Sequence, residues 1–495
     1  MTLARRIWRI VNLMALILAI LSLRIVYWQL VRGPELQPVV LDPVAAAAQY
    51  REANPGENPD LTAPVSLDAL PQPVIQRTRA MLAQITRGTI YDRNGRALAY
   101  DYRTADSRKA RFYAEPSMAP VVGYVSGLGI GVSGIEYSLN ETLLGVHRLD
   151  NQLGQMIHQP IVGSDIHLTL DSRLQRAAVQ ALGSRTGAVV VLDGHTGAVL
   201  ARASTPAFDP NRILNEDYVQ ALFAGCSDAA TCQNALLNRA TQGLYVPGST
   251  WKTVTLIAAL DTGRVTPQTI FDVGPPRRDD RGNYYVYEVD GGIIIDRNHT
   301  EQVLNLERSY VTSANAVFAR LGDEMGAETF LEYAARLGFS RANGEAPPLE
   351  IATSAAQVAN DPEALRHNNL LRAATAVGQG ELLTSPLSMA LVVAAVVNEG
   401  DIPRPHLVQA IRHPADYPLQ GEPSGNWVSG VMRPETAQQV RQMMIALVKS
   451  GSAAAVPGLT IGGKTGTAEV SGGLGPHAWF IGFAEGEART VAIAV

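Results

Sequence analysis

Strand-like text stands at both ends of the second half of this chain, and helix-like text fills its middle. No other feature restricts the fold as much. Residues 166–170 alternate in polarity, and Asp171 is placed to cap a helix running through Leu182. Residues 188–193 and 198–201 flank Gly194-His195-Thr196-Gly197 and read as a β-hairpin. Helical patterns follow over 249–260, 306–321, 330–337 and 434–448, the last with Pro434 in its first turn. Strand text then closes the chain over 460–467, 477–483 and 490–495. A parallel sheet would alternate strand with helix along the sequence. This order instead predicts an α+β unit, an antiparallel sheet with helices packed around it.

At 495 residues the chain is too long for one core, so two or three domains are expected. A net charge of −5 leaves no basic footprint, which argues against a nucleic-acid partner. Residues 10–30 read IVNLMALILAILSLRIVYWQL, long enough to cross a bilayer as a helix. Arg5, Arg6 and Arg9 precede the run, and Arg24, Tyr27, Trp28 and Arg32 mark its far end. The run exceeds a usual signal core and no small-x-small cleavage site follows it. We therefore expect residues 1–9 in the cytoplasm, a membrane anchor at 10–31, and everything beyond outside the cytoplasm. Cys226 and Cys232, six residues apart, fit neither a metal site nor a CxxC pair. They either close a small disulfide loop in an oxidising compartment or stay two separate thiols. Residues 33–76 are rich in Pro, Ala and acidic residues and read as a linker or exposed excursion. Within 87–95, residues 89–91 suit a strand and Asn94-Gly95 a hairpin turn; Gly134-Ile135-Glu136 opens a short helix. The run 277–282, Arg-Arg-Asp-Asp-Arg-Gly, reads as a solvated loop.

Arginine supplies nearly every cation. Of 41 Lys and Arg residues, only Lys109, Lys252, Lys449 and Lys464 are lysine. A surface charge tolerates either residue, but a guanidinium stays protonated in proteins and only an amine accepts a proton. Lys252 closes Ser249-Thr250-Trp251-Lys252, and Lys464 opens Lys464-Thr465-Gly466-Thr467. Lys109 and Lys449 stand in no motif, so chance survival of a lysine also occurs. Pro247-Gly248 breaks the chain just before Ser249, which places the serine in a first helical turn with free backbone N–H groups. Lys252, three residues on, shares its face. A neutral amine there can take the Ser249 proton, and burial with a second cation, Lys464, would hold it neutral. Between the two lysine motifs lies Ser313-Ala314-Asn315, whose hydroxyl can relay a proton and whose amide can hold a substrate carbonyl. Taken alone, each motif has an ordinary structural reading: a helix start, a helix surface, a strand with a glycine. On a strand, Thr465 and Thr467 could bind a carboxylate, and Gly466 would let a ligand backbone approach.

In this order Ser-x-x-Lys, Ser-x-Asn and Lys-Thr-Gly resemble the signature of penicillin-binding proteins and class A β-lactamases. Arg87-Gly88 with Asp92-Arg93-Asn94-Gly95 resembles the first motif of the N-terminal module of class B penicillin-binding proteins. The 187–204 hairpin, Gly378-Gln379-Gly380, Thr384-Ser385-Pro386-Leu387 and His477-Ala478-Trp479-Phe480 are similar to the same family. The resemblance implies a penicillin-binding, serine β-lactamase-like transpeptidase domain over 164–495. Preceding it would be an elongated β-rich pedestal or dimerisation-type module over 32–163. It implies a D,D-transpeptidase that cross-links peptidoglycan stem peptides. Ser249 would form an acyl-enzyme from a D-Ala-D-Ala donor and pass it to an amine acceptor. Lys252 would be the base, Ser313 and Asn315 would assist, and Lys464, Thr465 and Thr467 would bind substrate. Backbone N–H groups of Ser249 and Thr467 would form the oxyanion hole. β-Lactams would acylate Ser249. No metal or organic cofactor is implied. The 32–163 stretch is too short for a glycosyltransferase domain, so a separate membrane polymerase is the expected partner. Relatives continue beyond the strand text at 491–495 with a packed helix, so a missing C-terminal piece is expected.

Two other readings use the same scaffold. One is a hydrolase, either a D,D-carboxypeptidase or a β-lactamase; the other is a non-catalytic β-lactam sensor or a divisome or elongasome scaffold. The long N-terminal module disfavours a β-lactamase, and a sensor would need further spans. Glu301-Gln302-Val303-Leu304-Asn305 imitates a β-lactamase deacylation motif but precedes Ser313 instead of following it, so Glu301 reads as a helix-start residue.

Overall fold

A computed structural model describes residues 14, 80 and 82–495, apart from 106–108, 128, 147, 157–158, 225–233, 340–345, 452–454 and 470–474. The anchor at 10–31 (but for Met14), the excursion at 38–80 (but for Ala80), and Cys226 and Cys232 lie outside the described residues. The chain divides into two units, Met1–Ile85 and Thr86–Val495. Every element below belongs to the second.

Five strands form an antiparallel sheet in the order Thr460–Ala468, His477–Glu485, Thr490–Ala494, Gly187–Asp193, Val199–Thr205. The first hairpin and the last strands therefore complete one sheet, as the segregated sequence pattern predicts. Alternation divides the Gly187–Asp193 strand between two cores. Val189 joins Ala178, Leu182 and Ala203 beneath the Ser172–Leu182 helix. Ala188, Val190 and Leu192 face the larger core, where the Pro386–Val397 helix crosses the sheet. All 12 residues of that helix are buried, which explains why it is apolar on every side. Ser385 caps it by accepting from the Ser388 N–H, and Pro386 takes its first position.

A second, six-stranded sheet runs Pro418–Gln420, Val408–Arg412, Asp165–Leu168, Ile90–Tyr91, Ala97–Arg103, Lys109–Tyr113. Only its Ile90–Tyr91 and Asp165–Leu168 pair is parallel. The boundary drawn at 163/164 runs through this sheet. The motif at 87–95 builds its centre. Arg87 is buried, pairs with buried Glu136 at 2.6 Å and donates to Asn140 Oδ1 at 2.8 Å. Gly88 lies where any Cβ would strike the Ser164 carbonyl. Asp92 accepts from the N–H groups of Asn94 and Arg96 and from Ser172 Oγ at 2.6 Å. It thereby fixes the hairpin turn to the start of the Ser172–Leu182 helix. The Arg93 N–H donates to the Leu170 carbonyl, and Gly95 takes the positive φ of 78° that the turn needs.

Three local expectations change. The helix expected over 306–321 is two helices, Leu306–Val311 and Asn315–Arg336, broken at Ser313, whose φ is 61°. The separate helix expected over 330–337 continues the second of these past a kink at Gly326. The run at 277–282 is exposed, but it turns a hairpin between Arg277–Asp279 and Gly282–Val289 rather than forming a loop. Periodicity hid the first break because apolar residues keep helical spacing across it.

Candidate active site

Ser249 is held by an approach segment that four distant pieces of chain grip. Tyr245 exchanges backbone hydrogen bonds with Thr384, 2.9 Å each way. Its ring meets those of His477 at 5.2 Å and Trp479 at 6.4 Å. Trp479 Nε1 donates to the Val246 carbonyl at 3.0 Å, and Thr250 Oγ1 donates to the Pro247 carbonyl at 2.8 Å. The Gly248 N–H donates to the Gly378 carbonyl at 3.0 Å, and a Cβ on Gly378 would collide with the Gly248 carbonyl. A tight turn over Gly248–Trp251 then runs into the Lys252–Asp261 helix. Trp251 is fully buried against Phe339, 4.6 Å between rings, and so anchors the turn. Ser249 stays partly exposed, as a nucleophile requires, whereas Lys252 is fully buried.

The structure brings the three lysine and serine motifs together at one hydroxyl. Lys252 Nζ donates to the Ser313 carbonyl at 2.6 Å, to Ser313 Oγ at 3.1 Å and to Asn315 Oδ1 at 2.6 Å. From the opposite side Lys464 Nζ donates to the same Ser313 Oγ at 2.9 Å and to the Thr465 carbonyl at 3.1 Å. Ser313 therefore accepts from two amines, and its own proton is left to point at a ligand. The break in the helix makes this possible: a continuous helix would bury the Ser313 carbonyl in its own ladder.

Burial removes the water an ammonium needs, and it is the first cause lowering the Lys252 pKa well below its ordinary value. The Lys464 charge lowers it further, while Asp296 opposes the shift. Burial brings Lys464 down to about 7. Each amine also lies near an aromatic ring, Lys252 near Phe318 at 5.7 Å and Lys464 near Tyr310 at 5.8 Å.

Lys464, Thr465, Gly466 and Thr467 lie on the edge strand of the five-stranded sheet. Thr465 and Thr467 are exposed, whereas Lys464 and Gly466 turn inward. Sequence reasoning gave Gly466 to a ligand. The structure gives it to the protein, because a Cβ there would stand 2.8 Å from the Pro247 carbonyl and 2.9 Å from Thr250 Cγ2. Glu301 precedes a short strand, Val303–Asn305, and pairs on the surface with Arg308, so it neither starts a helix nor joins the lysines.

Sequence reasoning missed the segment that backs Ser313 and Asn315. Asn298 Nδ2 donates to the Ser313 carbonyl at 2.8 Å, and the Ile295 carbonyl accepts from Asn315 Nδ2 at 3.0 Å. Asp296 between them is fully buried. The one available signal was an acidic residue ending the apolar run Ile293-Ile294-Ile295.

Comparison with known proteins gives the family of the fold that carries these residues. Residues 187–495 match the sequence profile of the family "Penicillin binding protein transpeptidase domain". The chain is 30% identical over 428 residues to peptidoglycan D,D-transpeptidase PbpA of Mycolicibacterium smegmatis, covering 83% of this chain and 82% of that protein. Its fold is similar to penicillin-binding protein A of M. tuberculosis in an imipenem acyl-enzyme complex, with a TM-score of 0.73 and 27% identity. That match covers 84% of this chain and 93% of the other. A D,D-transpeptidase domain from Eggerthella lenta matches at a TM-score of 0.70 and 30% identity, covering 83% and 93% of the two chains. A profile match over 187–495, a range that holds the whole five-stranded sheet, together with 30% identity to a D,D-transpeptidase over 83% of the chain, settles the relationship: the chain belongs to the class B penicillin-binding proteins.

Proposed function

We propose that this protein is a peptidoglycan D,D-transpeptidase working through an acyl-enzyme on Ser249. The observation that carries the reading is the convergence of Lys252 and Lys464 on Ser313 Oγ, beside the turn that presents Ser249. Ser249 Oγ attacks the carbonyl between the two D-Ala residues of a donor stem peptide, and Lys252, which when neutral keeps two N–H donors for its three acceptors and has a lone pair free, accepts its proton. The backbone N–H groups of Ser249 and Thr467 stabilise the oxyanion. As the C–N bond breaks, the Ser313 hydroxyl passes its proton to the departing D-Ala amine and takes in its place the proton that Lys252 received from Ser249, which leaves Lys252 neutral again. An acceptor amine from a second stem peptide then attacks the ester and gives up a proton to neutral Lys252, which returns it to Ser249 Oγ as the C–O bond breaks. Asn315 orients the donor, and Thr465 and Thr467 bind its carboxylate beside Lys464, whose ammonium that carboxylate favours. β-Lactams follow the same first step and stop at the acyl-enzyme.

Around this chemistry, residues 10–31 anchor the chain in the cytoplasmic membrane with the N-terminus inside and the catalytic domain outside. A separate membrane glycosyltransferase polymerises the glycan. The sequence run at 10–31 and the short span before the transpeptidase region support these two readings. Full-length protein labelled with a fluorescent penicillin and run on a denaturing gel is expected to give a covalent band, and Ser249→Ala none. Equal labelling of the variant would refute the nucleophile assignment.

A further inference from the structure

We propose that Asp296 is a positioning residue of this site, its buried carboxylate clamping the start of the Asn315 helix and so fixing the acceptors that hold Lys252. The proposal rests on the reading of Lys252 as the base. The Asn315–Arg336 helix begins at Ala314 without a side-chain cap of its own. Its first amides would be unpaired in a buried place, where an unmet N–H is costly. Asp296 Oδ2 meets the Ala316 N–H at 2.7 Å, while Oδ1 accepts the Asn298 N–H at 3.0 Å. One carboxylate thus caps the helix that carries Asn315 and shapes the loop that carries Asn298. The two flanking residues complete the grip: the Ile295 carbonyl takes the Asn315 amide, and Asn298 takes the Ser313 carbonyl. Asn315 Oδ1 and Ser313 Oγ are left facing Lys252.

An anion in this place also acts on the amine through space. Lys464 and Asp296 are the charged groups acting on Lys252, one lowering and one raising its proton affinity after burial has lowered it. Behind Asp296 stands His299, its Nδ1 3.2 Å from Oδ2 and its ring stacked on Tyr285 at 4.6 Å. Neither ring nitrogen of His299 makes a well-aligned hydrogen bond. The carboxylate is shut away from water on every side, which keeps its field on Lys252 strong.

The scarcity of lysine makes the test direct. The 495-residue chain in detergent, labelled with lysine carrying ¹³C at Cε, presents only Lys109, Lys252, Lys449 and Lys464. Comparison with Lys252→Arg identifies the relevant signal. In Asp296→Asn, which keeps the shape and removes the charge, the Lys252 titration midpoint is expected to move to lower pH. In Asp296→Glu the charge stays, so the midpoint stays near the parental one. The extra methylene displaces the clamp, and penicillin acylation is expected to slow roughly tenfold to a hundredfold, as ångström-scale misplacement does. A parental midpoint in Asp296→Asn would overturn the proposal. If that variant gives no folded spectrum, a parental acylation rate in Asp296→Glu overturns it instead. A parent protein that never acylates would refute the Ser249 assignment, and the NMR midpoint would still decide the role of Asp296.

Discussion

At residue 252 a primary amine is buried near an aromatic ring, and burial and the Lys464 charge both lower its proton affinity. Arginine in the same place keeps a positive charge at every accessible pH and cannot act as a base. Lys252→Arg is therefore expected to abolish penicillin acylation, read by the gel assay, whereas Lys464→Arg retains part of it because it still supplies a cation for the carboxylate. The pH profile follows from the same neighbours. Acylation needs neutral Lys252, so its rate falls as pH drops through the depressed Lys252 pKa. Lys464→Met removes the cation that helps depress that pKa, so the Lys252 pKa rises and the acidic limb moves to higher pH. Stopped-flow acylation across pH checks this, and an unmoved limb would show that the two amines are not coupled. The approach of Lys464 to the Lys252 site was legible in the sequence, because lysines kept at two motifs in an arginine-rich chain admit few explanations. Asp296 was not: its partner Ala316 lies 20 positions away, and no local pattern links them.

Between Val246 and Trp251 the turn that presents Ser249 is a short element in which close backbone approaches join the side-chain contacts of Trp479, Thr250 and Trp251. Gly248 has φ 56°, and a Cβ there would lie 2.5 Å from the Thr467 carbonyl, on the edge strand that carries Lys464. Gly378 has φ 90°, and its missing Cβ makes room for the Gly248 carbonyl itself. Gly263 has a similar φ of 71° but nothing within reach of a Cβ. Gly263→Ala should therefore pay backbone strain only, about 1–3 kcal/mol. Gly378→Ala adds a clash of backbone against backbone and is expected to cost more than about 4 kcal/mol, the range reserved for special mechanisms. Thermal denaturation of the two variants ranks them, and equal losses would mean that the turn yields to the added atom. Alternation and caps made the strands and most helices readable beforehand. The break at Ser313 was not readable, since the lysines that meet its carbonyl and hydroxyl lie 61 and 151 positions away and come near only in the fold.

Pairings across the whole chain join the first described strands to the last third of the sequence. Asp165–Leu168 lies between Ile90–Tyr91 on one side and Val408–Arg412 on the other. Sequence pattern does not reveal such a neighbour, because a strand's polarity states which face is buried and not which strand lies alongside. The same sheet carries Ala97–Arg103 and Lys109–Tyr113, beside which Glu136 receives Arg87 at 2.6 Å and Arg111 at 2.8 Å. Glu136 has no exposed surface, so its removal leaves two guanidinium groups buried without their shared anion. Glu136→Ala is expected to cost about 3–5 kcal/mol, the loss typical of breaking a buried ion pair from one side. The protein holds the probe that reads how far this loss spreads. Of its five tryptophans, Trp251, Trp427 and Trp479 belong to the transpeptidase region and Trp8 and Trp28 to the N-terminal run, with none between residues 86 and 163. If the shared sheet couples the two regions, tryptophan fluorescence and loss of penicillin labelling will shift together to lower denaturant in Glu136→Ala. A tryptophan transition that stays at its parental midpoint, while circular dichroism reveals an earlier step, would mean that the module at 86–163 unfolds by itself.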